Sequence, residues 1–253
     1  YLGFTDRSPD SSPPFEDSRI IIPVFAPGPA FSLAASSQSP GTPDRVLAGW
    51  QARSIWTADE SSYSSPKYLS CRGMKKSHIV YGLPEAINTR GPIVIVEGVT
   101  DVWRLQTNAV ALFGKDLSSR QCSLLQHYFS DRPLVVFLDA GAQEASNRAV
   151  AALMRARGVY MNDTKVVTAT LPNSRDDVGE CSTEEAWDAV AAALGASREA
   201  LWEEIGFPAP LKLEACMPRS HISDFLTLKD TKTMSDNILA LRAKLLPPML
   251  NDA

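Results

Sequence analysis

The sequence predicts an α/β fold, a mainly parallel sheet flanked by helices, with a mixed α+β region before it and a helical tail after it. Three observations predict this. Ile93-Val94-Ile95-Val96 is a run of four β-branched residues, the pattern of a central parallel strand buried on both faces rather than the alternation of a half-exposed one. Between residues 93 and 181 strand-like and helix-like patterns then alternate, as in a parallel sheet covered by helices. Finally, the strand-like runs end on acids: Glu97 after the first, Asp139 after Leu134-Val135-Val136-Phe137-Leu138, and Asp176-Asp177 after the run that begins at Lys165. Ligands of open α/β sheets bind outside the carboxyl ends of the strands.

Element by element, Arg19-Ile20-Ile21-Ile22-Pro23-Val24-Phe25 reads as a strand and 46–53 as a second. The interval 26–44 between them, rich in Pro, Ser and Gly, reads as a loop, as does the polar stretch 57–65. Turn residues at Asn88-Thr89-Arg90-Gly91-Pro92 mark a boundary before the buried strand. Beyond it the pattern predicts a short helix over 102–106, with Asp101 in its first turn, and a short strand over 109–113. A helix over 118–128 follows with Ser118 as N-cap, then the strand at 134–138, a helix over 142–157 and a strand over 165–171. Ser182 and Glu185 stand at capping-box spacing ahead of an alanine-rich helix reaching about 194. Further helices are expected over 197–204 and 235–246, the last ended by Pro247-Pro248. The expected domains are thus 1–90, 91–181 and 182–253.

The bulk chemistry narrows the function classes. With 25 basic against 29 acidic residues the formal charge is −4, so a nucleic-acid role has to come from local basic clusters. Cys71, Cys122, Cys181 and Cys216 lie far apart without C-x-x-C spacing, which argues against a zinc site or a disulfide scaffold in this segment and for reduced thiols. No apolar run reaches membrane-spanning length and no signal peptide is visible, so a cytoplasmic setting without membrane contact is expected. The first residue, Tyr1 rather than Met, suggests a fragment or processed product. No G-x-x-x-x-G-K-[ST] run occurs, so no helicase motor is expected within it.

Glu97, Asp101, Asp139 and Asp177 are the candidates for a hard-cation site, since Mg²⁺ is usually held by one or two carboxylates together with substrate phosphates. Their arrangement resembles the Toprim domain of primases, topoisomerases and related nucleases. The matching pieces are Glu97-Gly98-Val99-Thr100-Asp101, Asp139-Ala140-Gly141, and Leu171-Pro172-Asn173-Ser174-Arg175-Asp176-Asp177. The stretch from Gly114 through Leu117-Ser118 to Gln121 is similar to the G-x-x-L-S-x-x-Q element of primases. In the first 90 residues, Arg19-Ile20-Ile21-Ile22-Pro23, Gly49-Trp50-Gln51-Ala52-Arg53, Pro66-Lys67-Tyr68-Leu69 and Lys76 through Tyr81-Gly82 resemble, in order and approximate spacing, the N-terminal subdomain of DnaG-type primase cores.

The resemblance covers about residues 1–181 and implies a Toprim-type primase that makes short RNA primers on single-stranded DNA. It implies Glu97 and Asp101 as catalytic residues, and Asp139, Asp177 and Glu97 as holders of Mg²⁺ or Mn²⁺. Arg53, Lys67, Lys75, Lys76 and Lys115 would bind the template and the ribonucleoside triphosphates. A replicative helicase is the implied partner, and the proline-rich N-terminal loop has a phage-like look. One departure stands out: Gly141 occupies the second acid position of D-x-D, so the site has fewer ligands, Glu144 or Asp176 substitutes, or metal binds weakly. The expectation is that Asp139 and Asp177 suffice. A Toprim nuclease and a non-catalytic, primase-derived nucleic-acid-binding replisome protein are the alternatives. His78, His127 and His221 are too scattered for a metal triad. Trp50, Trp56, Tyr63 and Tyr68 are candidates for stacking on bases, with packing the expected role of Trp50 and Tyr68.

Overall fold

The computed structural model describes residues 3–5, 19–28, 45–54, 66–158, 165–172 and 175–206. The helix expected over 235–246, the loop at 36–39, and Trp56, Tyr63, Cys216 and His221 lie outside them. Contacts divide the described residues into two compact units, one within 1–23 and 50–70, the other within 24–49 and 71–207.

Strands β1 (Gly3–Thr5), β2 (Arg19–Pro27), β3 (Arg45–Ser54) and β4 (Tyr68–Ser70) form one sheet in the order β1-β2-β3-β4. β1 runs antiparallel to β2, and β4 antiparallel to β3 with Ala52 opposite Leu69. In the first unit the Arg19 side chain is fully buried and donates from Nη1 to the carbonyls of Ala52 and Pro66, at 3.3 and 3.0 Å. A buried guanidinium is tolerated only where hydrogen bonds replace its water. Here it fastens β2 to β3 and to the chain entering β4.

The second unit is built on a four-stranded parallel sheet. β5 (Ile93–Val96) lies between β6 (Ala109–Ala111) and β7 (Leu134–Val136), and β8 (Val166–Thr168) adds outside β7, giving the order β6-β5-β7-β8. Val94 stands opposite Ala109 and Val135, and Val135 opposite Val167. Among the described residues six α-helices accompany the strands: α1 (Leu83–Ile87), α2 (Val99–Leu105), α3 (Ser119–Phe129), α4 (Gln143–Arg157), α5 (Thr183–Leu194) and α6 (Arg198–Ile205).

The four residues of β5 are fully buried, and they divide by parity between two cores. Ile93 and Ile95 pack with Leu125 and Phe129 of α3 and Ala145 and Leu153 of α4. Val94 and Val96 pack with Leu105 of α2 and Trp187 and Val190 of α5. Each large apolar side chain buried this way contributes about 1.5–3 kcal/mol of transfer free energy. The sequence expectation of a mainly parallel sheet between helices is therefore met. Differences lie at the element ends. The strands at 109, 134 and 166 are shorter than expected because the ladder ends where β5 ends, although single bonds continue it, with Phe137 N–H donating to Ile95 at 2.8 Å and Ala169 N–H to Val136 at 2.9 Å. α2 begins at Val99 rather than 102, because Gly98 is extended and the Asp101 carboxylate accepts its N–H, an early start signal.

Local caps are as the sequence states them. Ser118 caps α3 with Gln121 reaching back to it, and Ser182 and Glu185 do the same for α5. Gln121 does more: 1% exposed, it places its amide nitrogen 3.1, 3.0 and 2.9 Å from the carbonyls of Lys76, Ile79 and Leu112. One carboxamide thus joins the start of α3, the end of β6 and the loop at 76–79. Replacing Gln121 by Leu strands these carbonyls and opens the cap. A stability loss of about 3 kcal/mol is expected in urea unfolding, well beyond that of a surface substitution.

Candidate active site

The sheet order reverses at β5, where the chain winds outward to β6 on one side and to β7 and β8 on the other. The crevice outside the carboxyl ends at such a reversal is where open α/β sheets bind ligands. Glu97 follows β5 and Asp139 follows β7, so the strand order brings both acids to that crevice. They are joined directly: the Asp139 backbone N–H donates to Glu97 Oε1 at 3.2 Å. Burial holds the Glu97 carboxyl above the usual glutamate range; the Asp139 N–H and the Lys115 ammonium pull it back, while Asp116 adds to the rise. Glu97 is therefore a stronger base than an exposed glutamate.

The other two predicted acids are held by contacts of their own, next in the chain to the first two: Gly98 bonds Asp101, and the Ala140 N–H bonds the Asp176 carbonyl. Asp101 is 4% exposed, and its Oδ2 accepts the Gly98 N–H at 2.8 Å. Asp177 Oδ1 accepts the Glu180 N–H at 2.9 Å, capping the 3-10 turn Val178–Glu180. A methyl carbon on Gly179 would lie 3.0 Å from Asp177 Oδ1 and 3.2 Å from Asp101 Oδ1. The two carboxylates thus flank one glycine, which leaves them room that no other residue would. Arg104 Nη2 donates to the Gly179 carbonyl at 2.9 Å and ties this turn to α2. The four acids therefore form two pairs, Glu97 with Asp139 and Asp101 with Asp177.

Among the described residues no group of three or more His, Cys, Asp or Glu side chains is arranged to hold a metal ion. The donor set that is present, hard carboxylate oxygens in ones and twos at strand ends, fits the mode in which Mg²⁺ is held by one or two carboxylates and completed by substrate phosphates and water. Gly141 has φ +80° and open space around it. In that left-handed turn glycine is the least strained residue. Neither suggested substitute takes its place in a donor cluster: Glu144 lies 3.9 Å from Arg148, and Asp176 is exposed, its carbonyl accepting the Ala140 N–H at 2.8 Å.

The basic candidates differ among themselves. Arg53 is 8% exposed; its Nη1 donates to the Tyr68 hydroxyl, and its guanidinium lies 5.2 Å from the centre of that ring. Lys67 is exposed. Lys75 and Lys115 are exposed as well, and Lys76 is half-buried at the head of the turn Lys76–His78, whose Ser77 carbonyl accepts the Ser118 hydroxyl.

A cleft of about 310 Å³ opens one strand outward from Glu97, beside Asp139, Gln143, Ser146, Thr168, Thr170 and Arg175. The sequence reading passed over Ser146. The available signal was a small polar residue on a helix face otherwise occupied by core alanines, Ala145 and Ala149.

No protein-family model matches the chain, and no curated protein sequence matches it. Several solved primase structures have a similar chain course. A DnaG primase catalytic domain bound to single-stranded DNA is 18% identical, with a TM-score of 0.49, over 89% of this chain and 67% of that one. The zinc-binding and RNA polymerase domains of the Aquifex aeolicus primase are 20% identical, with a TM-score of 0.48, over 94% of this chain and 56% of that one. A DNA primase domain from Pseudomonas aeruginosa is 21% identical, with a TM-score of 0.46, over 89% and 66%. The chain thus spans between about half and two thirds of the length of these proteins.

Two outcomes follow from the geometry. Because burial raises the Glu97 carboxyl, the folded state favours its protonated form; that contribution is full below the ordinary value of 4.5 and is lost as pH rises through the raised folded value. Glu97→Gln, which keeps the acceptor for Asp139 but cannot ionise, should melt higher than the parent at pH 7–8. Melting curves against pH should show this advantage vanish on acidification below about pH 4. An acid introduced by Gly141→Asp meets no steric obstacle. It should lower stability by about 1 kcal/mol from the left-handed backbone, a loss that urea unfolding reads directly.

Proposed function

We propose that the chain is the catalytic core of a Toprim-type primase, a nucleotidyltransferase that makes short RNA primers on single-stranded DNA. The observation that carries this reading is the Glu97–Asp139 pair, joined by a hydrogen bond at the reversal of the parallel sheet. The motif run from Arg19 through Lys76 supports it, because the nucleases of the same superfamily lack that run.

In this reading residues 1–90 engage the template, 91–181 form the Toprim domain, and 182–253 is the part that would meet a replicative helicase. Glu97, made more basic by burial, accepts the proton of the primer 3′-hydroxyl. Asp101 fixes the turn that presents Glu97, since its carboxylate holds Gly98. Asp139 and Asp177, with Glu97 beside them, would hold Mg²⁺ or Mn²⁺, which when bound orients an in-line displacement and neutralises phosphate charge. Lys67, Lys75, Lys76 and Lys115 offer ammonium groups to the template backbone and the triphosphates, giving salt-dependent binding. Arg53 serves through Tyr68, whose ring it holds in place. The setting is a bacterial or phage-infected cytoplasm.

Gly141 favours a second reading, a primase-derived protein that binds single strands without catalysis. Incubation with single-stranded DNA, labelled ribonucleoside triphosphates and Mn²⁺ separates the readings. Labelled oligoribonucleotides are expected, reduced at least about 100-fold in Glu97→Gln and in Asp139→Asn. Salt-sensitive binding without synthesis points to the second reading, and cleavage of labelled nucleic acid to a nuclease.

A further inference from the structure

A second recess, of about 290 Å³, opens where α4 meets the loop ahead of α3, and it shares no described residue with the cleft beside Asp139. Its floor is apolar. Ala145, Ala149 and Ala152 stand at helical spacing on one face of α4, and Leu117 adds to them from the loop. Farther along the same seam α3 closes on α4. Cys122 Sγ lies 3.8 Å from the Ala152 carbonyl, and Gln126 Nε2 donates to the Leu153 carbonyl at 3.2 Å. Toward the amino end of α4 the short alanine side chains leave space that the loop does not fill.

Three charged side chains line the recess among the described residues, and they do not balance. Arg148 Nη2 lies 2.9 Å from Asp116 Oδ1, whereas Arg155 makes no ion pair among the described residues. Two guanidiniums against one carboxylate leave a single positive charge. Glu144 also approaches Arg148, at 3.9 Å, but its side chain is 96% exposed, where such a pair is screened.

Charge and shape together select the occupant. A phosphate chain or a nucleic-acid strand brings more negative charge than one guanidinium matches, and it would meet Asp116. A neutral apolar molecule would desolvate Arg155 without replacing its water. One negative charge on an apolar body meets both demands. A water molecule's share of volume is about 30 Å³, so the recess holds roughly ten non-hydrogen atoms. We propose that this recess is a binding site for a small organic monoanion, a carboxylate with an apolar body, its acid on Arg155 and its body on the alanine floor of α4. The site is independent of the polymerase reading, since it contains none of the acids or basic residues named for that reaction.

The test is an NMR titration of the ¹⁵N-labelled full chain with hexanoate, hexan-1-ol and acetate, the first carrying both features and the others one each. Hexanoate should shift the α4 amides between Ala145 and Arg155 and bind at least about tenfold more tightly than either control. Arg155 is exposed, so its replacement leaves the fold intact. Arg155→Gln should raise the hexanoate Kd roughly three- to tenfold and leave that of hexan-1-ol unchanged, the loss of one charge-assisted contact. Ala151→Leu, which narrows the recess with a larger side chain, should weaken both. A parent without shifts in α4, equal Kd for hexanoate and hexan-1-ol, or an unchanged hexanoate Kd in Arg155→Gln each overturns the assignment. Release of bound hexanoate by a single-stranded oligodeoxynucleotide that shifts the same amides gives the recess to nucleic acid and overturns it as well.

Discussion

The complete burial of β5 is the constraint on which the rest of the second unit depends. A strand with neighbours on both edges and helices on both faces has no polar exit except its ends. Its peptide groups are satisfied by β6 and β7, and its side chains are divided between two apolar cores. Charge can therefore appear only where the strand stops, and it does so at once, with Glu97. The hydrogen bond from Asp139 then couples the end of β5 to the end of β7. Packing of the centre and placement of the acids are one arrangement, because a slip of either strand would separate the pair.

That coupling also sets the chemical character of Glu97. The residue stands between desolvation, which favours the neutral acid, and a backbone donor and a lysine, which favour the carboxylate. A carboxyl held above its ordinary range and next to a second acid is common at catalytic centres and uneconomical elsewhere. Asp101 and Asp177 are stabilised differently. Each accepts a backbone N–H within its own turn, and Gly179 separates them.

Much of this was legible in the sequence, and the boundary of legibility is physical. The β5 run was readable because continuous apolar patterning is local to four residues. The caps at Ser118 and Ser182 were readable because both partners lie three residues apart. The acids were readable as strand-end residues, yet their division into pairs was not, since it depends on how a turn at 178–180 returns to α2 through Arg104. The Arg53–Tyr68 contact and the cleft beside Ser146 likewise arise from chain segments brought together by folding. Strand lengths were overestimated for the same reason: a ladder ends with its partner, which composition does not reveal.

The Gln121 carboxamide has a consequence for the basic loop it holds. The carbonyls of Lys76 and Ile79 and the cap of α3 are all fixed by one buried side chain, so the backbone that carries Lys75 and Lys76 is preorganised. A ligand meeting these ammonium groups orders only their methylene stems, and the entropy of arranging a loop is not charged against its affinity.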